Sequence, residues 1–338
     1  MQIENNTKYE KILASLYGQA YADAFGMPSE LWTRPKVKEF FGKINMFLPG
    51  PPENTAANGF LAGQFTDDTS QALALLDSII ESKGEINSYK VAEHILDWAK
   101  KINAFEKNIL GPSSKKALTS LSEGKEIDKL ENLGTTNGAA MRISPIGMIY
   151  SIKNIKDFEK NIYKSCAPTH KSDVAIAGAG AIAYTISSLI DGNNWDKTIE
   201  NTIDFSQYLQ NKYHNTFSPF IYRRILLAIE IANKFLDKLD NNNIILTKND
   251  EDFSQEIYEI IGSDMQTYNS VPAAFAIAHY CQNNPIKVAH ISANLGGDTD
   301  TIGAMSLAMC ATNHTSKIFP NKDILLSLIH ISEPTRPY

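Results

Sequence analysis

The chain has 338 residues, 43% of them hydrophobic, enough to bury a large core. A formal net charge of −6 supplies no basic surface, so neither nucleic acid nor an anionic membrane is an expected partner. The three cysteines, Cys166, Cys281 and Cys310, are odd in number and far apart, which argues against a disulfide framework or a thiolate metal site and for a reducing, cytoplasmic setting.

The opening MQIENNTKYEKI is polar and lacks the apolar segment of a secretory signal. Tyr9, Ile12, Leu13, Leu16, Tyr17 and Ala20 then recur at i, i+3, i+4, i+7 and predict a helix with that face buried. A long loop rich in Pro, Gly and Asn covers 47–64, and loops of that length are more often functional than decorative. After FTDDT, Leu73, Leu76, Ile79 and Ile80 restore the helical period. Val91, Ile95 and Leu96, with Trp98, continue it. LGTTNGAA (133–140) is a second turn-rich loop.

The uncharged run from Val174 to Ile190 is short and weakly hydrophobic for a bilayer span, and reads as a buried helix. Its GxGxxA (Gly178, Gly180, Ala183) follows no strand, so it fits close helix packing better than dinucleotide binding. Ile221, Ile225, Leu226, Ile229 and Ala232 predict a further helix, 237–250 a polar connection, and Val271, Ala274, Phe275 and Ala278 another helix. With no period-2 alternation and no internal repeat, the expectation is an all-α single domain over 1–330. The tail ISEPTRPY (331–338) has no apolar pattern and is left out of that domain.

Two helix starts carry more oxygen than capping requires. FTDDT puts Thr66, Asp67 and Asp68 before one apolar helix, and LGGDTDTIGAM puts Asp298, Asp300 and Thr301 before another. One such side chain suffices for an N-cap, and adjacent carboxylates repel unless a cation lies between them. Four carboxylates and two hydroxyls without nearby cysteine clusters suit Mg²⁺ or Mn²⁺, and two ions could be held if the helix starts converge. The glycines before Asp298 would let the backbone approach closely. Two other families with acid pairs fit less well. The D-x-D-x-T loop of haloacid-dehalogenase-like phosphatases ends a strand near the start of its domain, and the DDxxD of isoprenoid synthases is broken by Gln71.

GQAYADAFGMPSE, GQFTDDT, ILGPSSKKAL, TNGAAMRISPIG, THKSD and LGGDTDTIGAM, in that order over about residues 10 to 312, resemble the successive motifs of the ADP-ribosylglycohydrolase family. The resemblance implies a compact orthogonal helical bundle with a binuclear Mg²⁺ or Mn²⁺ site. It also implies a hydrolase cleaving the bond between ADP-ribose and an acceptor, on a protein side chain or a small conjugate. Thr66, Asp67, Asp68, Asp298, Asp300 and Thr301 would be the metal ligands. Glu30, which taken alone is an ordinary surface acid, would lie near the metals and assist catalysis, with Asp67, Asp68 and Asp300 the other candidates for the catalytic carboxylate.

Gly111, Ser113 and Ser114 before KKAL, and Asn137, Gly138 and Ala139 before AMR, would offer N–H groups at helix starts to the pyrophosphate. His170 would lie beside the bound ADP-ribose, and Gly296 and Gly297 would admit it to the acid loop. Arg142 fits either a phosphate contact or an internal ion pair. Ala139 stands where the family often has glycine or serine, which puts the contact there in doubt. The protein would act as a cytoplasmic monomer. Two alternatives stay open: a nucleoside-type N-glycosidase on the same metals, and a non-catalytic, crystallin-like binding module.

Overall fold

Helices joined by turns and single-turn 3₁₀ segments make up the regular structure, and the described residues contain no strand beyond two isolated bridges, Trp32 to Gly297 and Thr136 to Gln266. The structure is a computed structural model that describes residues 2–106, 109–241 and 243–320. The expected tail at 331–338 lies outside the described residues. In chain order the helices are α1 (Gln2–Gly26), α2 (Arg34–Phe41), α3 (Asp67–Glu81), α4 (Ser88–Lys101), α5 (Pro112–Ser122), α6 (Ser144–Ile149) and α7 (Ile155–Cys166). There follow α8 (Asp173–Ile190), α9 (Trp195–Lys212), α10 (Ile221–Asn233), α11 (Lys248–Glu256), α12 (Thr267–Tyr280), α13 (Pro285–Ala293) and α14 (Thr299–Ala311). The all-α expectation holds.

The helices fall into two units. Of the described residues, the first comprises those within 2–66, 224–241, 243–265 and 269–320. Its central element is α14, which is buried all round and therefore carries no amphipathic stripe. Helix α1 packs along it through small residues: a Cβ on Gly18 would stand 2.7 Å from the Leu307 carbonyl oxygen, and one on Gly303 would stand 3.0 Å from that of Ala22. This overturns the face predicted for α1 except at Ala20, which is buried. Tyr9 is 57% exposed and Ile12, Leu13, Leu16 and Tyr17 are only half-buried, whereas Ala14, Ser15 and Ala22 are buried. Close backbone approach brings many atoms of the two helices into dispersion contact, and only small residues on the facing sides permit it. Helix α11 runs into a π-turn (Ile257–Ile261) that ends at Gly262, with φ of 84°.

The second unit comprises, of the described residues, 67–106, 109–223 and 266–268. Here α8 is central, flanked by α6, α7 and α9. It is long and apolar enough to span a membrane, with mean hydropathy 1.5, yet it is buried throughout, as predicted. Gly180 does serve close packing, because a Cβ there would meet Leu209 of α9 at 2.1 Å. Helix α3 presents Gln71, Ala72, Leu75 and Ile79 inward, while Ile80 is 67% exposed. Of the predicted stripe, Ile79 is buried, Leu73 and Leu76 are half-buried and Ile80 is exposed, so the face is rotated toward Gln71, which has polar partners inside the unit.

Candidate active site

In the first unit the GGDTDT segment is held from three sides. Gly296 and Gly297 adopt φ of 82° and 87°, a region that favours glycine. The Leu31 N–H donates to the Gly297 carbonyl and the Gly297 N–H to the Trp32 carbonyl, each at 2.7 Å. The Asp298 N–H donates to the Ser263 carbonyl, just beyond the π-turn, at 2.6 Å. Arg34, buried, donates to the Asn294 carbonyl at 2.6 Å and to Gln255 Oε1 at 2.8 Å. A Cβ on Gly296 would lie 2.4 Å from the Arg34 nitrogen, and one on Gly297 would lie 2.1 Å from the Ser263 oxygen. Protein backbone therefore fills the space that their missing side chains leave.

This clamp brings together one carboxylate oxygen each of Glu30, Asp298 and Asp300, all within 4.8 Å of one another. Asp298 and Asp300 are buried and Glu30 is partly exposed. Glu30 is no ordinary surface acid. Its carbonyl accepts from Asn54 Nδ2 at 2.9 Å, so the Pro- and Gly-rich loop tethers it, and Leu31 beside it holds a φ of 58° that non-glycine residues seldom adopt.

Thr66 joins the cluster, its Oγ1 lying 3.2 Å from Asp300 Oδ2. Its N–H and hydroxyl also donate to Asp23 Oδ1, at 2.8 Å and 2.9 Å. Asp23 is fully buried and was absent from the predicted site. The signal for it was an acid inside the small-residue run YADAFG. Asp67 and Asp68 follow Thr66 directly in the chain as the first turn of α3; Asp68 is buried, and Asp67 Oδ2 accepts from Gln71 Nε2 at 2.9 Å. Thr301 is buried in the first turn of α14. The donors gathered in the first unit are all oxygen, which fits a hard divalent cation.

The second unit holds the glycine-serine motifs. Helix α5 starts at Pro112 with Gly111 as its N-cap, so Ser113 and Ser114 lie within the first turn, earlier than the expected start at KKAL. Asn137–Ala139 do not open a long helix. They form one buried 3₁₀ turn, because Arg142 takes the Gly138 carbonyl at 2.6 Å and the next helix begins only at Ser144. A Cβ on Gly138 would lie 2.8 Å from His170 Cε1 and 3.2 Å from Ser114 Oγ, so these three residues are neighbours. Ala139 is buried.

His170 has no exposed surface, and its Nδ1 and Nε2 lie 2.8 Å and 2.9 Å from Thr169 Oγ1 and Thr136 Oγ1. Burial, helped by the Arg142 charge, pushes its pKa down to about 3, so the ring is neutral. Arg142 is internal, but its partners are not acids. It donates to the Gly138 and Ser165 carbonyls, Thr169 Oγ1 and Gln71 Oε1, and burial lowers its pKa to about 10.

The sequence is 45% identical over 307 residues to the uncharacterized protein YegU of Escherichia coli (strain K12), covering 91% of this chain and 88% of that protein. It is 24% identical over 278 residues to ADP-ribosylhydrolase ARH3 of Xenopus tropicalis, covering 76% and 75%. The fold is similar to that of an ADP-ribosylglycohydrolase-related protein complex, with a TM-score of 0.64, 18% identity and coverage of 96% and 97%. Residues 4–322 match the ADP-ribosylglycohydrolase family, and the chain belongs to it.

Proposed function

We propose that the chain is a metal-dependent hydrolase that cleaves the glycosidic bond between ADP-ribose and an acceptor. The observation that carries this is the convergence of Glu30, Asp298 and Asp300 within 4.8 Å, in a member of a glycohydrolase family. Three carboxylates so close repel one another unless a cation lies among them. Thr66, Asp67, Asp68, Asp298, Asp300 and Thr301 are the proposed ligands of two Mg²⁺ or Mn²⁺ ions. When bound, such ions supply Lewis acidity that orients ribose hydroxyls and activates water.

Glu30, the least buried of the three clustered acids, is the proposed acid–base group. Cleavage at C1′ develops oxocarbenium charge, which neighbouring carboxylates, including Asp67, Asp68 and Asp300, stabilise. Gly111, Ser113, Ser114, Asn137, Gly138 and Ala139 form the proposed pyrophosphate side, with His170 directly behind Gly138. Gly296 and Gly297 give the acid loop its shape. The unbroken family match supports treating 1–330 as one domain, and we propose a cytoplasmic monomer.

Calorimetry with ADP-ribose, AMP and adenosine, each with and without Mg²⁺, tests the reading, alongside release of ADP-ribose from modified proteins with and without EDTA. ADP-ribose should bind tightest and only with metal, and EDTA should stop its release. Adenosine binding as tightly as ADP-ribose would replace the reading with a nucleoside N-glycosidase. No binding in the presence of metal would replace it with a non-catalytic module.

A further inference from the structure

A buried polar chain behind the Gly138 turn has a direction. Arg142 has hydrogens only to give, and one of them reaches Thr169 Oγ1 at 2.6 Å. Thr169 Oγ1 lies 2.8 Å from His170 Nδ1, His170 Nε2 lies 2.9 Å from Thr136 Oγ1, and Thr136 donates to Ser113 Oγ at 2.9 Å.

The proton positions follow from counting. Thr136 has one hydroxyl proton and commits it to Ser113, so toward His170 it can only accept, and Nε2 must carry the N–H. A neutral imidazole has a single N–H, so Nδ1 accepts, and only the Thr169 hydroxyl is there to give. Thr169 then accepts from Arg142, which is what a cation with no lone pair requires. All four links run the same way. The depressed pKa of His170 agrees with the neutral ring this needs. At the end of the chain Ser113 Oγ is an acceptor toward Thr136, and among the described residues no other group takes Ser113's own proton.

We propose that Arg142, Thr169, His170 and Thr136 are positioning residues that turn the Ser113 hydroxyl into an outward hydrogen-bond donor for the diphosphate of the ligand. The proposal rests on the functional reading above for the ligand, but not for the proton order. It gives His170 a role through Thr136 and Ser113, consistent with a ring that has no exposed surface. It also explains a buried arginine with neutral partners: the charge orients a line of neutral dipoles, and low local polarity strengthens each link.

Nitrogen-15 NMR of His170 in the full chain reads the proton order directly. The expected result is a neutral Nε2–H tautomer at neutral pH. An Nδ1–H tautomer or an imidazolium would overturn the relay. Binding supplies the second readout, with ADP-ribose titrated in the presence of Mg²⁺ and inorganic pyrophosphate titrated without metal. Ser113→Ala and Thr136→Val should each weaken both ligands by roughly tenfold, the scale of one hydrogen bond to a charged acceptor.

The double variant should lose no more than Ser113→Ala alone, because the two residues act in series. Thr136→Ser, which keeps the hydroxyl, should restore binding, and Mn²⁺ affinity should stay at the wild-type value throughout. Additive losses, or an unaffected Thr136→Val, would overturn the proposal. Failure of the wild type to bind ADP-ribose would sink the functional reading alone, since the tautomer and pyrophosphate binding still decide the relay.

Discussion

Gly26 is where a single methyl group should reach the metal ligands. It ends α1 against the start of α14, and a Cβ there would lie 2.5 Å from the Thr299 carbonyl oxygen and 2.7 Å from both the nitrogen and Cα of Asp300. All three atoms are backbone, so no rotamer change can make room. Ordinary contact would require the α14 start to move by roughly 1 Å. That shift would also pull Thr299 Oγ1 from the Gly26 carbonyl, now at 2.8 Å.

Overpacking of this kind costs about 1–3 kcal/mol, and the displaced segment carries Asp298 and Asp300. Gly26→Ala should therefore lower the melting temperature and weaken Mn²⁺ binding together, read by calorimetry on the folded variant. Gly192→Ala is the control. Its φ of 93° strains an alanine, but nothing lies within 4 Å, so it should lose about 1 kcal/mol of stability and no metal affinity. Wild-type Mn²⁺ affinity in Gly26→Ala would refute the coupling of α1 packing to the site.

Stability should also fall with acid in a defined window. The pKa of His170 is pushed down to about 3 and that of His290 to about 4, chiefly by burial, so between those values and the unfolded value near 6.5 the unfolded chain binds more protons. Their contribution is fully present above that window and is lost on going down through it, at up to about 1.4 kcal/mol per pH unit for each ring. Urea melts should show this slope and show it reduced in His290→Gln; equal slopes would remove His290 from the account. Arg34→Met leaves the Asn294 carbonyl without its donor and should weaken Mn²⁺ binding several-fold beside a stability loss of about 1–3 kcal/mol. Unchanged metal affinity would show that the GGDTDT loop holds itself.

The residues that announced themselves in the sequence were those that break a local rule. Two acid pairs at helix starts exceed what a cap needs, and Gly296 and Gly297 mark a backbone that other residues resist. The long uncharged run of α8 could be read as buried because it carries no charge, and its Thr185, Ser187 and Ser188 hydroxyls find partners inside the protein. What stayed hidden depends on partners distant in sequence. Asp23 resembles any single acid on a helix until Thr66 is placed against it. The buried faces of α1 and α3 could be read only in part from large apolar side chains, because Gly18 and Gln71 win their places through Leu307 and Arg142. The Asn137–Ala139 turn reads as a helix start in the sequence, since the composition of NGAAMR does not reveal that Arg142 ties back the Gly138 carbonyl.

A chain growing from its N-terminus makes Glu30 early and Asp298 late. Ser29 and Thr299, which flank the acid cluster, bond across 270 positions, so the cluster comes into being only after Asp298 and Asp300 have been made. Until then α1 must wait without α14, its inward side uncovered. Where it meets Leu307 and Gly303 that side is Gly18 and Ala22, which offers far less apolar area to a stray partner than a row of leucines would, while the larger Tyr21 and Phe25 have Phe47 as an early ring partner. The small residues that let two backbones meet closely in the finished protein thus also leave less apolar surface on an unfinished one.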